Sequence, residues 1–230
     1  MPHLPHELVF LIVAIAVPVL VWIAKRDARA AAAARHGLLD GGLKALDTSR
    51  LSIEPSGFPK IEGTSKGRAF RVALIPDTLT FRRLPQLWLD VTLRRDLPTV
   101  RDSIAILIRP SGADYFSLTD RLHDNLLPPA DFPDSCLIKG QGPGARALLN
   151  RIAPCAARLL QDIKIKEIVV SPRGIRVVRQ FAQGARGSHL ILRQSVFEGA
   201  HLQAGELEDM IGAAMQIENT LTELNLVSAA

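Results

Sequence analysis

Residues 165–178 read IKEIVVSPRGIRVV. Two runs rich in Val and Ile, 167–170 and 175–179, flank Ser171-Pro172-Arg173-Gly174. Proline at the second position of such a tetrapeptide presets the φ of a β-turn, and Gly, Ser and Pro are the residues that turns favour. The stretch therefore predicts two antiparallel strands joined tightly. A hairpin directly after a helical segment suits an antiparallel sheet better than a doubly wound one, in which each strand returns through a helix.

The helical segment in question is 145–161, with Leu148, Leu149, Ile152, Ala156, Leu159 and Leu160 on one face. Pro154 lies inside it, which predicts a kink or a break. Ahead of it stand a short strand, 136–139, and the turn Gly140-Gln141-Gly142-Pro143-Gly144. Beyond the hairpin, 190–192 reads as another strand. The segment 205–224 reads as a helix, with Leu207, Met210, Ile211, Ala214, Ile217 and Leu221 on one stripe. Its other face carries Glu206, Glu208, Asp209, Glu218 and Glu223, and acids early in a helix suit its N-terminus.

Further upstream, 67–76 and 87–93 alternate apolar and polar residues, the period of half-buried strands. Leu87, Leu89, Val91 and Leu93 share one side; Trp88, Asp90 and Thr92 share the other. Residues 103–109 (SIAILIR) are apolar on both faces and read as a central strand. With short links between them, these three strands predict a meander. Residues 111–135, rich in Pro, Asp, Ser and Asn, read as a loop with a short helix somewhere in 116–126. The expected architecture is α+β: a soluble domain at 59–230, in halves 59–135 and 136–230, with a largely antiparallel sheet and at least two packed helices.

In front of that domain, residues 8–24 (LVFLIVAIAVPVLVWIA) contain no charge. As a helix they extend roughly 25 Å, close to a hydrocarbon core of about 30 Å. Snorkelling by Lys25 and Arg26 covers the shortfall. The segment 1–24 is therefore read as a single transmembrane anchor, and 25–58 as a juxtamembrane helix followed by a connector. No Lys or Arg precedes the run, whereas Lys25, Arg26, Arg29 and Arg35 follow it. The positive-inside rule then puts the N-terminus outside and the domain in the cytoplasm. A cleaved signal peptide would carry its positive charge ahead of the apolar run, although the alanines at 30–34 offer small residues for a peptidase. A buried globular helix would show a polar face, and 8–24 has none.

The chain has 28 basic and 23 acidic residues, a formal charge of +5, and 5% aromatics. So small an excess, with so few rings for base stacking, disfavours nucleic acid as a partner. Its two cysteines, Cys136 and Cys155, lack redox spacing and read as thiols in a reducing compartment, with a disulfide as the alternative because a short strand and the following helix could bring them together. No two of the six histidines have metal-ligand spacing, so neither metal nor cofactor is expected. Asp120, His123 and Asp124 form an acid–histidine neighbourhood that reads as solvated surface.

Two stretches are candidate binding sites. Gly140, Gly142 and Gly144 lie between a strand and a helix, where free N–H groups and the helix dipole favour a phosphate. The spacing is G-x-G-x-G rather than G-x-G-x-x-G, however, Pro143 removes a donor, and the Walker lysine is missing. Arg82, Arg83, Arg94 and Arg95, with Lys66, Arg68 and Arg71, could line a basic surface for anionic lipid headgroups. Mixed charge from Asp77, Asp90 and Asp96 points instead to an ordinary solvated face.

The segments 67–93 (GRAFRVALIPDTLTFRRLPQLWLDVTL) and 165–178 resemble a pattern found in uncharacterised bacterial single-pass membrane-anchored proteins. That resemblance implies a bacterial inner membrane and carries no activity, cofactor or site residue. The function expected from the whole sequence is non-enzymatic: a membrane-tethered interaction or accessory domain that meets a protein partner in the membrane. A phosphate- or nucleotide-binding protein or enzyme, and a peripheral domain for anionic lipid, are the alternatives.

Overall fold

A computed structural model describes residues 6–77, 84–184, 197 and 199–228. In the first and last helices, the side chains of 6–13, 24, 27, 28, 31, 34 and 223–228 lie outside that description. So do Arg82, Arg83 and the strand expected at 190–192.

In chain order the elements are α1 (His6–His36), a 3-10 helix (Gly37–Ala45), β1 (Thr48–Ile53), β2 (Pro59–Ser65), β3 (Arg68–Asp77), β4 (Gln86–Arg94) and β5 (Ser103–Ile108). A 3-10 turn (Thr119–Arg121), β6 (Asp124–Leu126), β7 (Cys136–Gln141), α2 (Ala145–Leu159), β8 (Ile165–Ser171), β9 (Gly174–Gln183) and α3 (Ala204–Ser228) follow. The strands form one antiparallel sheet in the order β1-β2-β3-β4-β9-β8-β5-β7-β6. The fold is α+β, as the hairpin at 165–178 predicts. Ser171 pairs with Gly174 and Val170 with Ile175, so the turn joins β8 to β9 as expected.

The meander is corrected. β4 pairs with β3 on one edge and with β9 on the other, so β5 is not its neighbour. The whole β8–β9 hairpin is inserted between β4 and β5. Inserting two strands preserves the antiparallel sense of β4 and β5, so a short link still suffices. That link crosses the hairpin tip: Arg95 N–H donates to Arg173 O at 3.3 Å and Leu97 N–H to Pro172 O at 2.8 Å. The halves 59–135 and 136–230 thus interleave in a single sheet rather than lying side by side.

The sheet also begins earlier than Pro59. Within the expected connector, Thr48–Ile53 pairs with Pro59–Ser65 as an edge strand, and Leu38 and Leu39 of the first 3-10 helix enter the core. Alternation had hidden β1, because its residues are almost all exposed.

One face of the sheet carries Phe70, Val72 and Leu74 of β3, Leu87, Leu89, Val91 and Leu93 of β4, and Ile104, Ile106 and Ile108 of β5. The first 3-10 helix, α2 and α3 cover it, α3 through Leu207, Met210, Ile211, Ala214, Ile217 and Leu221. Pro154 does not break α2, which runs through it with the ring exposed to solvent. Glu218 departs from the expected polar face of α3. It is buried, and it pairs with Arg68 and with Arg95 at 2.8 Å.

The opposite face is covered in its middle by the segment 111–122. The helix expected within 116–126 is only the short 3-10 turn Thr119–Arg121, after which β6 begins.

α1 is one continuous helix through residue 36, so 25–35 does extend the apolar segment. Among the described residues no helix is long and apolar enough to cross a membrane. Of the run 8–24, only 14–23 have described side chains. Those ten residues extend roughly 15 Å. Every one of them is exposed.

Candidate functional site

The turn between β7 and α2 has the geometry of an anion cradle. Gly142 adopts φ +100°, and α2 starts at Ala145 without a side-chain cap from its own N-terminal residue. The anion in the cradle comes from the chain itself. Asp102, just ahead of β5, accepts the Gly144 N–H through Oδ1 at 3.2 Å. A Cβ added to Gly142 would lie 2.0 Å from Asp102 Oδ1, and one on Gly144 would lie 2.5 Å from Oδ2. Gly142 and Gly144 are therefore accounted for by close approach of a carboxylate to the backbone, at a helix N-terminus that favours negative charge, whereas a Cβ on Gly140 would lie 2.7 Å from the Ala145 Cβ. A cavity of about 150 Å³ adjoins the carboxylate, lined also by Thr99, Arg101 and Arg151. Arg151 donates to Leu221 O at 2.8 Å and so ties α2 to α3.

Replacing Asp102 with alanine should lower stability by about 0.5–2 kcal/mol, the usual cost of removing a helix cap. It should also expose the turn to added anions. Inorganic phosphate should raise the melting temperature of Asp102→Ala while leaving the parent chain unmoved. An equal rise in both would show that Asp102 does not occupy the anion position.

Of the expected basic surface, the described residues Arg71, Arg94 and Arg95 stand beside acids. Arg94 lies 3.4 Å from Glu62, Arg95 pairs with Glu218, and Arg71 donates to Glu54 at 2.6 Å. Glu62 is held below the usual carboxylate range by Lys60, which bonds it, with further help from Arg94 and Arg71. The structure brings Arg94 and Arg95 close to acids rather than into an unopposed patch, and Arg82 and Arg83 lie outside the described residues.

The strongest concentration of charge lies elsewhere, under the segment 111–122. Arg176 of β9 donates from Nε to Asp90 of β4 at 2.9 Å, and from Nη1 to Glu167 of β8 and to Phe116 O at 3.2 Å. Glu167 accepts from Ser117 Oγ at 2.6 Å and Leu118 N–H at 2.8 Å. Glu167 is fully buried, and Arg176 is only 12% exposed. Burial pushes the Glu167 carboxyl up, against the Arg176, Ser117 and Leu118 donors that favour its charged form.

Lys166, also buried, donates to Ile108 O at 3.0 Å and Arg109 O at 2.7 Å. Its ammonium lies 3.1 Å from Asp114 Oδ1, an ion pair without good hydrogen-bond alignment, and 5.8 Å from the centre of the Trp88 ring. Burial opposes charge on Asp114, but the Ser111 backbone and hydroxyl and Lys166 outweigh it and hold its carboxyl below the ordinary value. These contacts bind the covering segment to the sheet. Removing one partner from buried ion pairs of this sort is strongly destabilising, because the charge left behind is uncompensated.

Sequence reading missed this network, although a signal was present. Asp90 and Arg176 sit at the polar phase of strands, Lys166 and Glu167 interrupt an apolar one, and the covering loop is longer than connections usually are.

The remaining candidates stay ordinary. Asp120, His123 and Asp124 are all exposed, and among the described residues no group of His, Cys, Asp and Glu could hold a metal ion. Cys136 and Cys155 are free thiols. Burial pushes Cys136 up to about 11 and Cys155 upward as well, which leaves little thiolate for nucleophilic chemistry. Comparison with protein-family models finds no match for the chain, and comparison with curated proteins finds none.

Proposed function

We propose that this chain is a membrane-tethered, non-enzymatic interaction or accessory domain, held by residues 8–24 in a bacterial inner membrane and facing the cytoplasm. The observation that carries the reading is the exposure of the described part of the apolar run, residues 14–23. Ile15, Leu20 and Trp22 are 59%, 64% and 62% exposed, in a stretch, 14–23, that carries no charged residue. Such a surface needs lipid or protein to cover it. Cation placement agrees: the Arg26 guanidinium lies 5.6 Å from the centre of the Trp22 ring, an arrangement suited to the membrane–water boundary. A tether raises the effective concentration of the domain toward partners in the same membrane. The occupied glycine turn and the paired arginines lend no support to a nucleotide enzyme or a lipid-headgroup sensor.

The test compares the full chain with one lacking residues 1–24, after alkaline carbonate washing of membranes and gentle detergent pull-down. The full chain should stay with the membrane and bring a membrane protein with it, while the shortened chain is released and brings none. Release of the full chain by the wash would remove the tether. Equal recovery of the same partner by both forms would leave the tether without a role.

A further inference from the structure

The two edges of the sheet are protected very differently. β6 is only three residues long and is followed by Pro128-Pro129, and the Leu127 carbonyl accepts from Arg146 Nη1 at 2.6 Å. Short strands and prolines are the usual means of preventing strand addition. β1 has six residues, with Leu51 38% and Ile53 44% exposed, and no strand among the described residues on its outer side.

The outward-facing groups of β1 follow from its pairing. Glu54 N–H donates to Phe58 O at 2.9 Å, just beyond the Ile53↔Pro59 pair. Hydrogen-bonded and non-hydrogen-bonded pairs alternate along an antiparallel ladder. Ser52, Arg50 and Thr48 therefore turn their backbone groups toward β2, whereas Ser49, Leu51 and Ile53 turn theirs outward. Each of these three offers one donor and one acceptor.

We infer that β1 is the interface for a second copy of this chain, joined antiparallel about a two-fold axis at Leu51. Only this register matches every outward group with another. Leu51 meets Leu51 of the second copy, and Ser49 meets Ile53 in both directions, so all the outward donors and acceptors pair. A shift by one residue sets outward groups against inward ones, and a shift by two leaves some of them unmatched. Arg50 faces Ser52 of the second copy, so no like charges are directly opposed, and the two Arg50 side chains lie on a diagonal. The ladder stops at Pro55, which has no N–H to give. The result is a sheet continuous through both copies. A junction of one strand pair is smaller than a standard interface of about 1,600 Å², so the dimer is concentration-dependent. The inference stands on β1 alone and does not require the anchor.

The full chain in mild detergent serves for the test, with its mass followed by light scattering over a range of concentrations. The parent chain should shift from monomer to dimer, and Leu51→Pro should remain monomeric with an unchanged melting temperature. Proline removes an N–H that β2 does not use. As a second measurement, Leu51→Cys should form a disulfide-linked dimer on mild oxidation, whereas Asp124→Cys on the opposite edge should not. Paired residues about 5.5 Å apart at Cα lie within disulfide reach. A parent chain that stays monomeric throughout, a dimer that survives Leu51→Pro, or equal cross-linking at both cysteines would each overturn the inference.

Discussion

Replacing Arg176 with methionine should destabilise the domain by about 3–5 kcal/mol, the usual cost of stranding buried charge by removing its partner. Methionine keeps much of the volume but leaves Asp90 and Glu167 facing each other without a cation between them. Total stabilities are only about 5–15 kcal/mol, so the urea midpoint should fall by a large fraction. The loss should not be read as the value of the ion pairs. Adding Asp90→Asn and Glu167→Gln to Arg176→Met removes the stranded charges, and this triple variant should recover much of the midpoint. A single-variant loss below about 1 kcal/mol, typical of solvated pairs, would mean that water reaches the network after all.

Gly174→Ala is expected to come next in size, at about 3 kcal/mol. Gly174 has φ +137°, and a Cβ there would lie 2.0 Å from the Leu93 carbonyl oxygen on the neighbouring strand. Gly67 provides the comparison, with φ +73° and nothing within 4 Å of its would-be Cβ. Gly67→Ala should therefore cost only the backbone strain, about 1–2 kcal/mol. Paired denaturation curves for the two variants separate conformational strain from collision. Equal losses would show that Leu93 yields without cost.

Gly174 also marks where sequence reading runs out. The turn Ser171-Pro172-Arg173-Gly174 is legible because everything it needs lies within four residues. That Gly174 must also stay small to let β4 approach is not legible, since Leu93 stands far away in the chain and only the sheet order brings it close. The same distinction runs through the candidate sites. The glycine turn at 140–144 is visible in the sequence as a place for an anion. Its occupant, Asp102, is set there by the pairing of β5 with β7. Arg95 looks free beside Arg94 and meets Glu218 only when α3 crosses the sheet.

What the sequence by itself determined was local and periodic. The hairpin 165–178, the two phases of β4, the apolar stripes of α2 and α3 and the uncharged run at 8–24 each follow from residues within one or two turns or pleats of one another. Tertiary structure alone decided that the β8–β9 hairpin enters between β4 and β5, that β1 belongs to the sheet, and that 111–122 closes over Asp90, Glu167 and Arg176. Those outcomes depend on which strand edges and apolar faces are still unpaired once the local pieces exist. Backbone hydrogen bonding is the same for every sequence, so a strand's own residues specify that it will pair, while the competition for buried area across the whole chain selects its neighbour.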